Sequence, residues 1–449
     1  MKVAFHTLGC KVNQYETEAL AESFKKKGYE IAAEGEHADV HVINTCTVTG
    51  EADRKSRQCI RRIKRADPRS IVAVTGCYAQ ASPGEVGEID GVDIVVGNKN
   101  KMGLPESVER FLAAGAPVCD SEPLDAAWGH GEAGDISAME GRTRAYIKIQ
   151  DGCNRFCSYC IVPYVRGGIR SRPAESVISE ARRLIEGGYK EIVLAGINTA
   201  LYGAEGGFPD GSLESIIGEL DRLDGDFRIR LSSLEPTVID ADYVKKLFKY
   251  EKLCRHIHLS LQSGSDETLK RMNRRYSMGE YMEIVSALRG FDPDYGISTD
   301  MIAGFPGESE HDFNKSLEVL EKVDFCKVHV FRYSDRKGTA ASEMCAHVSG
   351  DERNRRRALL LDGGERSARR FFERNIGQER RVLVEEYIEG KGMYAGYTEN
   401  YIRAFIDASY ASEVCAGSAL NEFAQVRLSG LFMDGMEARA ERREHETFI

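Results

Sequence analysis

The sequence predicts an α/β protein in three parts: a small α/β domain with a parallel sheet, a partial (β/α)6 barrel, and a small antiparallel β-barrel. Three observations support this division. Strand-like and helix-like segments alternate up to about residue 120, six further βα units follow from Arg144, and short strands without helices fill the last part of the chain. The length of 449 residues also exceeds what one hydrophobic core usually serves.

Residues 1–120 are expected to form the first domain. Polar, helix-like stretches separate its candidate strands, which are KVAFHTL, DVHVINT, SIVAVTG and VDIVVGN. This alternation is typical of a largely parallel sheet. Residues 121–140 are acidic, rich in glycine and alanine and without periodicity, so we expect a linker there.

Residues 141–370 are expected to form the second domain. Its candidate strands are AYIKIQ, KEIVLAG, FRIRLSS, HIHLSLQ, GISTDMIAG and KVHVFRYS, each followed by a segment that can form a helix. Six such units indicate a parallel barrel that is incomplete, because eight would be needed to close it. In a parallel barrel the chemistry gathers at the C-terminal ends of the strands.

Residues 378–441 are expected to form a third, smaller domain. Short strand-like segments follow one another here: RRVLVEEY, MYAGYTENYIRAFI and FAQVRLSGLF. Strands of this length without intervening helices predict a small antiparallel β-barrel.

Composition limits the classes of function. The chain has no run of about 20 apolar residues and no secretory pattern at its N-terminus, so we expect a cytoplasmic protein that does not enter a membrane. Its twelve cysteines then indicate metal or redox roles, because structural disulfides are rare in the cytoplasm. With a net charge of −10, any nucleic-acid partner must be held by local basic surfaces.

The strongest motif is DGCNRFCSYC, which places Cys153, Cys157 and Cys160 in a C-x3-C-x2-C cluster after the first strand of the predicted barrel. Three thiolates can hold three irons of a [4Fe–4S] cluster and leave the fourth iron open. In radical-SAM enzymes that iron binds S-adenosylmethionine (SAM), and the reduced cluster cleaves SAM to a 5′-deoxyadenosyl radical. The alternative is a zinc site, but no fourth Cys or His follows at a familiar spacing.

Three more cysteines share a context, since Cys10, Cys46 and Cys77 each end a candidate strand of the first domain. The C-terminal ends of parallel strands lie along one edge of the sheet. The three thiols are therefore expected to converge as a second three-thiolate cluster site, although each one alone would be interpreted as a small buried side chain. The other six are interpreted as structural: Cys59, Cys119, Cys254, Cys326, Cys345 and Cys415.

These motifs resemble the radical-SAM methylthiotransferase family over nearly the whole chain. TLGCKVNQYETE, INTCTVT and TGCYAQ are similar to the three motifs of its N-terminal domain, and DGCNRFCSYCIVPYVRGGIRSR is similar to its cluster-binding segment. The KVN-x-YETE form of the first motif resembles the branch that modifies N6-threonylcarbamoyladenosine (t6A) at position 37 of tRNA. The resemblance implies two [4Fe–4S] clusters, two SAM molecules per reaction, and transfer of a methylthio group to C2 of the adenine.

The resemblance also implies which residues bind SAM at the strand ends. It assigns Tyr159 to the aromatic position of the cluster motif and gives the remaining contacts to Gly196, Asn198, Ser232, Glu235, Gln262 and Gly304. A hydroxyl and a carboxylate, such as Ser232 and Glu235, suit the ribose hydroxyls. The alternative is structural, because glycines at strand ends mostly make turns.

The last domain resembles the TRAM-like RNA-binding β-barrel of the family. The implied contacts to the tRNA anticodon stem-loop are Arg380, Arg381, Tyr397, Asn400, Tyr401 and Arg403. Arg and aromatic side chains suit phosphates and bases, although such residues are often only a solvated face. Basic clusters at residues 61–65, 166–172 and 353–357 are candidates to extend this surface.

The resemblance further implies an electron donor of the flavodoxin or ferredoxin type and a sulfur donor. Two rival functions remain open at this point. One is the same chemistry on another target, either isopentenyladenosine at position 37 of tRNA or a ribosomal-protein side chain. The other is a non-catalytic iron–sulfur module that binds RNA or carries electrons.

Overall fold

The computed structural model describes residues 1–124, 136–139, 141–206, 212–409 and 419–440. The first domain contains six strands and five α-helices. The strands are β1 (Lys2–Thr7), β2 (Glu30–Ile31), β3 (Val40–Thr45), β4 (Ile71–Gly76), β5 (Ile94–Val96) and β6 (Val118–Asp120). The helices are α1 (Lys11–Lys26), α2 (Gly50–Ala66), α3 (Cys77–Ala81), α4 (Pro83–Gly87) and α5 (Leu104–Ala114).

The sheet of the first domain is parallel throughout, in the order β2-β1-β3-β4-β5-β6. Every residue of β4 is buried, because helices cover both faces of the sheet. The predicted parallel sheet is therefore confirmed. The two short strands β2 and β6 were not predicted; each extends one edge of the sheet.

The second domain continues this α/β pattern. Its strands are β7 (Arg144–Lys148), β8 (Gln150–Asp151), β9 (Arg170–Ser171), β10 (Glu191–Ala195), β11 (Arg228–Leu231), β12 (Ser233–Leu234), β13 (His256–Leu259), β14 (Gly296–Ala303) and β15 (Lys327–Arg332). Its helices are α6 (Val162–Arg166), α7 (Ala174–Glu186), α8 (Leu213–Asp221), α9 (Ala241–Leu247), α10 (Asp266–Arg271), α11 (Met278–Phe291), α12 (Glu310–Val323) and α13 (Gly350–Arg374).

The long strands of this domain form the predicted partial barrel. Two parallel sheets, β7-β10-β11 and β12-β13-β14-β15, follow one another around it, and β8 pairs with β9 at the rim. Side chains alternate along each strand: in β13, Ile257 and Leu259 join the apolar core under the helices. His256 and His258 bond to Ser298 of β14 on the other face. The interior of the barrel is therefore polar.

The third domain is a closed five-stranded barrel. Its strands are β16 (Glu379–Ile388), β17 (Met393–Tyr397), β18 (Arg403–Asp407), β19 (Phe423–Phe432) and β20 (Gly435–Ala440), in the order β16-β17-β18-β20-β19. The predicted antiparallel barrel is confirmed, with one exception: β18 and β20 pair in parallel. The segment MYAGYTENYIRAFI forms two strands, because Thr398 to Ile402 make a tight turn.

The third domain packs against the strand starts of the partial barrel. Arg228 and Arg230 of β11 donate hydrogen bonds to the backbone carbonyls of Tyr397 and Thr398, at 2.8 and 3.0 Å. The first domain lies over the C-terminal ends of the barrel strands. The two small domains thus occupy opposite ends of the central one.

The predicted linker is described only in part. Residues 125–135 and 140 lie outside the described residues, but Ile136 and Met139 are buried in the core of the partial barrel. The backbone N–H of Ile136 donates to Glu180 of α7 at 2.8 Å. None of the helices among the described residues has the length and apolar character needed to cross a bilayer.

Candidate active site

The C-x3-C-x2-C loop follows β8 at the C-terminal end of the barrel. The backbone N–H of Cys153 donates to Gly167 at 3.0 Å, and that of Cys160 donates to Cys157 at 2.9 Å. The loop turns at Gly152, whose φ is +70°; a Cβ on this residue would overlap the carbonyl oxygen of Gly168. Only glycine fits this approach of two backbones.

The loop is fastened to the segment after α10. Ser158 donates from its backbone N–H to Met272 and from its hydroxyl to Arg271, at 3.0 and 2.8 Å. Tyr159 packs edge-on against Phe305, with ring centroids 6.5 Å apart. These contacts anchor the part of the loop between Cys157 and Cys160 to the partial barrel.

The three thiols suit an iron–sulfur cluster chemically. Burial, together with neighbouring Cys157, raises the pKa of Cys153 to about 11 and that of Cys160 to about 12. Thiolates at these positions therefore need a positive centre among them, which the irons of a cluster provide. Among the described residues, no three His, Cys, Asp or Glu side chains are grouped to hold a metal ion.

Polar side chains predicted to bind SAM converge beside this loop. Asn198 Nδ2 donates to Glu235 Oε2 at 2.8 Å, and Arg274 Nη1 lies 3.2 Å from Glu235 Oε1 and 3.5 Å from Cys157 Sγ. Arg155 Nε lies 3.3 Å from Glu235 but has no hydrogen-bond partner, and buried Asn198 Oδ1 has none either. These two unused buried groups fit a polar ligand.

Gly196 supports the same site. A Cβ on Gly196 would lie 3.0 Å from Gln150 Oε1, so the backbone here runs close to the strand that precedes the cysteine loop. The backbone N–H of Asn198 also donates to Gln150 Oε1, at 3.0 Å. Both residues thus belong to one crevice at the strand ends.

The remaining residues predicted to bind SAM make backbone and packing contacts within the protein. The backbone N–H of Ser232 donates to Leu194, and Gln262, with φ +71°, pairs through its backbone with β14. Gly304, with φ +72°, donates to Glu308 at 2.9 Å, and a Cβ there would overlap the side chain of Arg353. The role of Gly304 that the structure reveals is packing against α13.

The second cysteine trio meets at the C-terminal edge of the first sheet. A Cβ on Gly9, next to Cys10, would lie 2.6 Å from the Cβ and 3.0 Å from the Sγ of Cys46. Burial, together with the nearby thiols of Cys77 and Cys10, raises the pKa of Cys46 to about 12. The structure therefore places the three cysteines near one another at this edge of the sheet, and the cluster that they are expected to hold stays a prediction.

Sequence reasoning missed the role of Arg166, which lies between the two trios. It is 1% exposed, and its Nε lies 3.3 Å from Cys77 Sγ. Its other nitrogens bond to Glu16 at 2.9 Å, to Asn13 at 2.6 Å and to Asp151 at 3.1 Å. Arg166 thus connects α1 of the first domain to the cysteine loop of the second.

Two lysines complete this buried cluster. Lys148 Nζ donates to Glu16 at 2.9 Å and to Asp151 at 3.1 Å, and Lys101 Nζ contacts Glu16 from the opposite side. Burial alone would raise the pKa of Glu16, but Arg166, Lys101 and Lys148 hold it well below its usual range. Arg170 also pairs with Asp151, at 3.5 Å, so four cations outnumber the two carboxylates and leave a net positive charge near Cys77.

Of the three basic clusters predicted to face RNA, one has buried or paired arginines and two are accessible. The cluster at 166–172 is corrected, because Arg166 is buried and Arg172 pairs with Glu180 at 2.6 Å. At 61–65 the arginines are exposed on α2. At 353–357, Arg353 and Arg357 line an open cleft of ≈ 1020 Å³ between the first domain and the partial barrel.

The predicted RNA contacts of the third domain also divide. Tyr397, Tyr401 and Arg403 line a groove of ≈ 720 Å³ beside α13, so they are placed to meet a ligand. Arg381 is partly exposed and pairs with Asp226 at 2.6 Å. These four residues remain candidates for RNA contact.

Asn400 and Arg380 are corrected. Asn400 is 0% exposed and donates to the Asp294 carbonyl at 3.0 Å, while Arg380 pairs with Asp294 and Glu399 at 3.0 and 3.3 Å. Neither side chain is presented to an RNA ligand, because both are engaged in the contact between the third domain and the partial barrel. The sequence showed a polar turn but not what covers it.

Replacing Asn400 with Ala is expected to lower the free energy of unfolding by about 1–3 kcal/mol, because the Asp294 carbonyl and Asn375 lose a buried partner. RNA affinity should change little. Denaturant unfolding and RNA binding of the same sample check both parts. Loss of RNA affinity without loss of stability would show that Asn400 contacts RNA and would contradict this assignment.

Two family descriptions match the chain. Residues 2–97 match the Uncharacterized protein family UPF0004, and residues 147–320 match the Radical SAM superfamily. Among solved structures, the radical SAM methyltransferase TsrM from Kitasatospora setae has a TM-score of 0.55 at 14% identity. The matched region covers 76% of this chain and 74% of the TsrM chain. That similarity supports the fold.

Curated relatives share much more sequence. The chain is 41% identical over 405 residues to the threonylcarbamoyladenosine tRNA methylthiotransferase MtaB of Bacillus subtilis, covering 89% of each chain. The MtaB of Thermotoga maritima is 38% identical, over 97% of this chain and 96% of its own. A tRNA-2-methylthio-N(6)-dimethylallyladenosine synthase from Clostridium novyi is 35% identical over 84% of each. The chain therefore belongs to the radical-SAM methylthiotransferase family of enzymes.

Proposed function

We propose that this enzyme adds a methylthio group to C2 of t6A at position 37 of tRNA, using two [4Fe–4S] clusters and two SAM molecules. The observation that carries the proposal is the pair of cysteine trios, which lie on two domains joined through Arg166. Relatives named for this reaction support the choice of substrate.

Each trio has a distinct task in this proposal. Cys153, Cys157 and Cys160 would hold the cluster with the open iron, which supplies the electron for cleavage of SAM. Cys10, Cys46 and Cys77 would hold the second cluster, where sulfur receives its methyl group. The positive charge of Arg166 beside Cys77 stabilises thiolate ligands there.

The chain's own residues bind and orient SAM. Glu235, held by Arg274 and Asn198, presents a fixed carboxylate next to Cys157, as a ribose or an amino group requires. The unused Asn198 Oδ1 and Arg155 Nε offer one acceptor and one donor. The first domain covers the strand ends and keeps water from a reactive radical.

The substrate and protein partners complete the proposal. A base from a single-stranded loop can be turned out into the space between the domains at modest cost. The groove lined by Tyr397, Tyr401 and Arg403 offers aromatic and basic groups to the rest of the tRNA. A flavodoxin- or ferredoxin-like protein would supply electrons and a separate donor the sulfur, in the cytoplasm, where tRNA is modified.

A triple variant tests the two-cluster proposal: Cys10→Ala, Cys46→Ala, Cys77→Ala. After anaerobic reconstitution, wild type is expected to bind about eight irons per chain and the variant about four. Mass analysis of tRNA nucleosides should find the methylthio product on t6A only with wild type. Four irons in both proteins would make the N-terminal cysteines structural and leave a simpler radical-SAM activity.

A further inference from the structure

The cleft between the first domain and the partial barrel has an unusual charge. Four cations line it: Lys55 of α2, Arg332 at the end of β15, and Arg353 and Arg357 of α13. Only two carboxylates, Glu51 and Asp335, share the lining. On a chain with a net charge of −10, this cleft is a local positive surface.

These cations are not neutralised by the fold. The Glu51 carboxylate accepts a hydrogen bond at 2.8 Å from Arg54, a residue that does not line the cleft. Arg332 donates to the neutral side chain of Asn354 at 2.6 Å, and Arg353 donates to the Tyr333 carbonyl at 3.1 Å. None of the four cleft cations forms an ion pair with a carboxylate in the described parts of the chain. By contrast, neighbouring Arg355 and Arg356 on α13 pair with Glu310 and Glu308.

The cleft leads to the sulfur site. Leu8, Gly9 and Cys46 form part of its lining, so an occupant reaches the N-terminal cysteine trio directly. The N-terminal ends of α2 and α13 also border the cleft and add partial positive charge. A volume of ≈ 1020 Å³ is at the upper end of the roughly 300–1,000 Å³ of small-molecule sites, which is room for a nucleotide with a substituent.

We infer that this cleft recognises an anion carried by the base to be modified, namely the threonyl carboxylate of t6A, through Arg332 and Arg357. This inference rests on the proposed function. The α-carboxyl of a threonyl group is ionised at neutral pH, and an exposed guanidinium binds a carboxylate in two-point geometry. A dimethylallyl group offers no such anion, so the charge of the cleft selects between the two substituents named among the relatives.

A backbone phosphate of the RNA has the same chemistry as the carboxylate, and binding measurements separate the two sources. Anaerobically reconstituted enzyme is titrated with anticodon stem-loop RNAs that differ only at position 37: t6A, N6-dimethylallyladenosine or adenosine. Wild type should bind the t6A loop about tenfold more tightly than the others. Arg332→Gln and Arg357→Gln should each remove most of this preference and change the Kd of the other loops by less than about twofold.

Arg182→Gln is the matched control, because it removes an exposed arginine from α7 that does not line the cleft and belongs to none of the basic clusters named above. It should bind all three loops as wild type does, and equal iron and sulfide contents show that each variant is folded. Equal weakening of all three loops by Arg332→Gln would assign the cleft to phosphate and overturn the inference. So would wild-type enzyme without preference for t6A.

Mass analysis of the tRNA nucleosides distinguishes failure of this inference from failure of the proposed function. If wild type forms the methylthio product on t6A but the cleft variants keep the binding preference, only the inference fails. If wild type prefers the t6A loop but forms no methylthio product, the inference stands and the proposed reaction fails.

Discussion

Gly152→Ala is expected to abolish the cluster that we propose for Cys153, Cys157 and Cys160. A methyl group at Gly152 would overlap the Gly168 carbonyl oxygen, and the φ of +70° is itself unfavourable for alanine by about 1–2 kcal/mol. Relief requires the loop to move away from Gly167, which accepts the N–H of Cys153. Iron should fall from about eight to about four per chain, and SAM cleavage should disappear.

Gly168→Ala provides the control for this experiment. It lies on the other side of the same close approach, but a Cβ there meets no atom within 4 Å. This variant should keep full iron content and SAM cleavage. If Gly152→Ala also kept both, the loop geometry would not be what holds the three thiols in position.

Arg166→Gln is expected to have the second large effect, on stability and on the N-terminal cluster. The substitution leaves Glu16 and Asp151 buried with less compensating charge, and breaking a buried ion pair costs about 3–5 kcal/mol. It also removes the positive charge beside Cys77. Denaturant unfolding and iron analysis should show a less stable protein with about four irons.

Two further variants separate the role of Arg166 from a general loss of charge. Arg65→Gln changes an exposed arginine in the last turn of α2 and should leave both stability and iron content unchanged. Arg166→Lys keeps the charge but not the fork of donors to Asn13, Glu16 and Asp151, so it should recover only part of the loss. An Arg166→Gln protein with wild-type stability and eight irons would contradict the assignment.

The fold was predictable because its signals are local. The longer strands have apolar or alternating sequences, as in SIVAVTG and HIHLSLQ, and helix-forming segments separate them. Because Cys10, Cys46 and Cys77 follow such runs, the sequence also predicted that they lie at one edge of the sheet. The edge strands β2 and β6 were missed, since two or three residues carry too little pattern, and β20 of the closed barrel was missed as well.

The site was less predictable where its partners are distant in sequence. Glu16 and Arg166 are 150 residues apart, and nothing in RGGIRSR distinguishes a buried arginine from a solvated one. Asn400 donates to Asp294, 106 residues away. The cleft shows the same limit: residues 353–357 were recognised as basic, but Lys55 and Arg332 join them only after folding.

The charge cluster around Arg166 has a mechanical consequence. Sliding the first domain along the partial barrel would separate Arg166 and Lys148 from Glu16, and each buried charge left alone is strongly disfavoured. The seam between the first domain and the partial barrel therefore resists shear, which keeps Cys77 beside Arg166. With sliding disfavoured, the unstacking that brings a base to the site falls to the RNA loop, and loops that unstack easily are expected to be the better substrates.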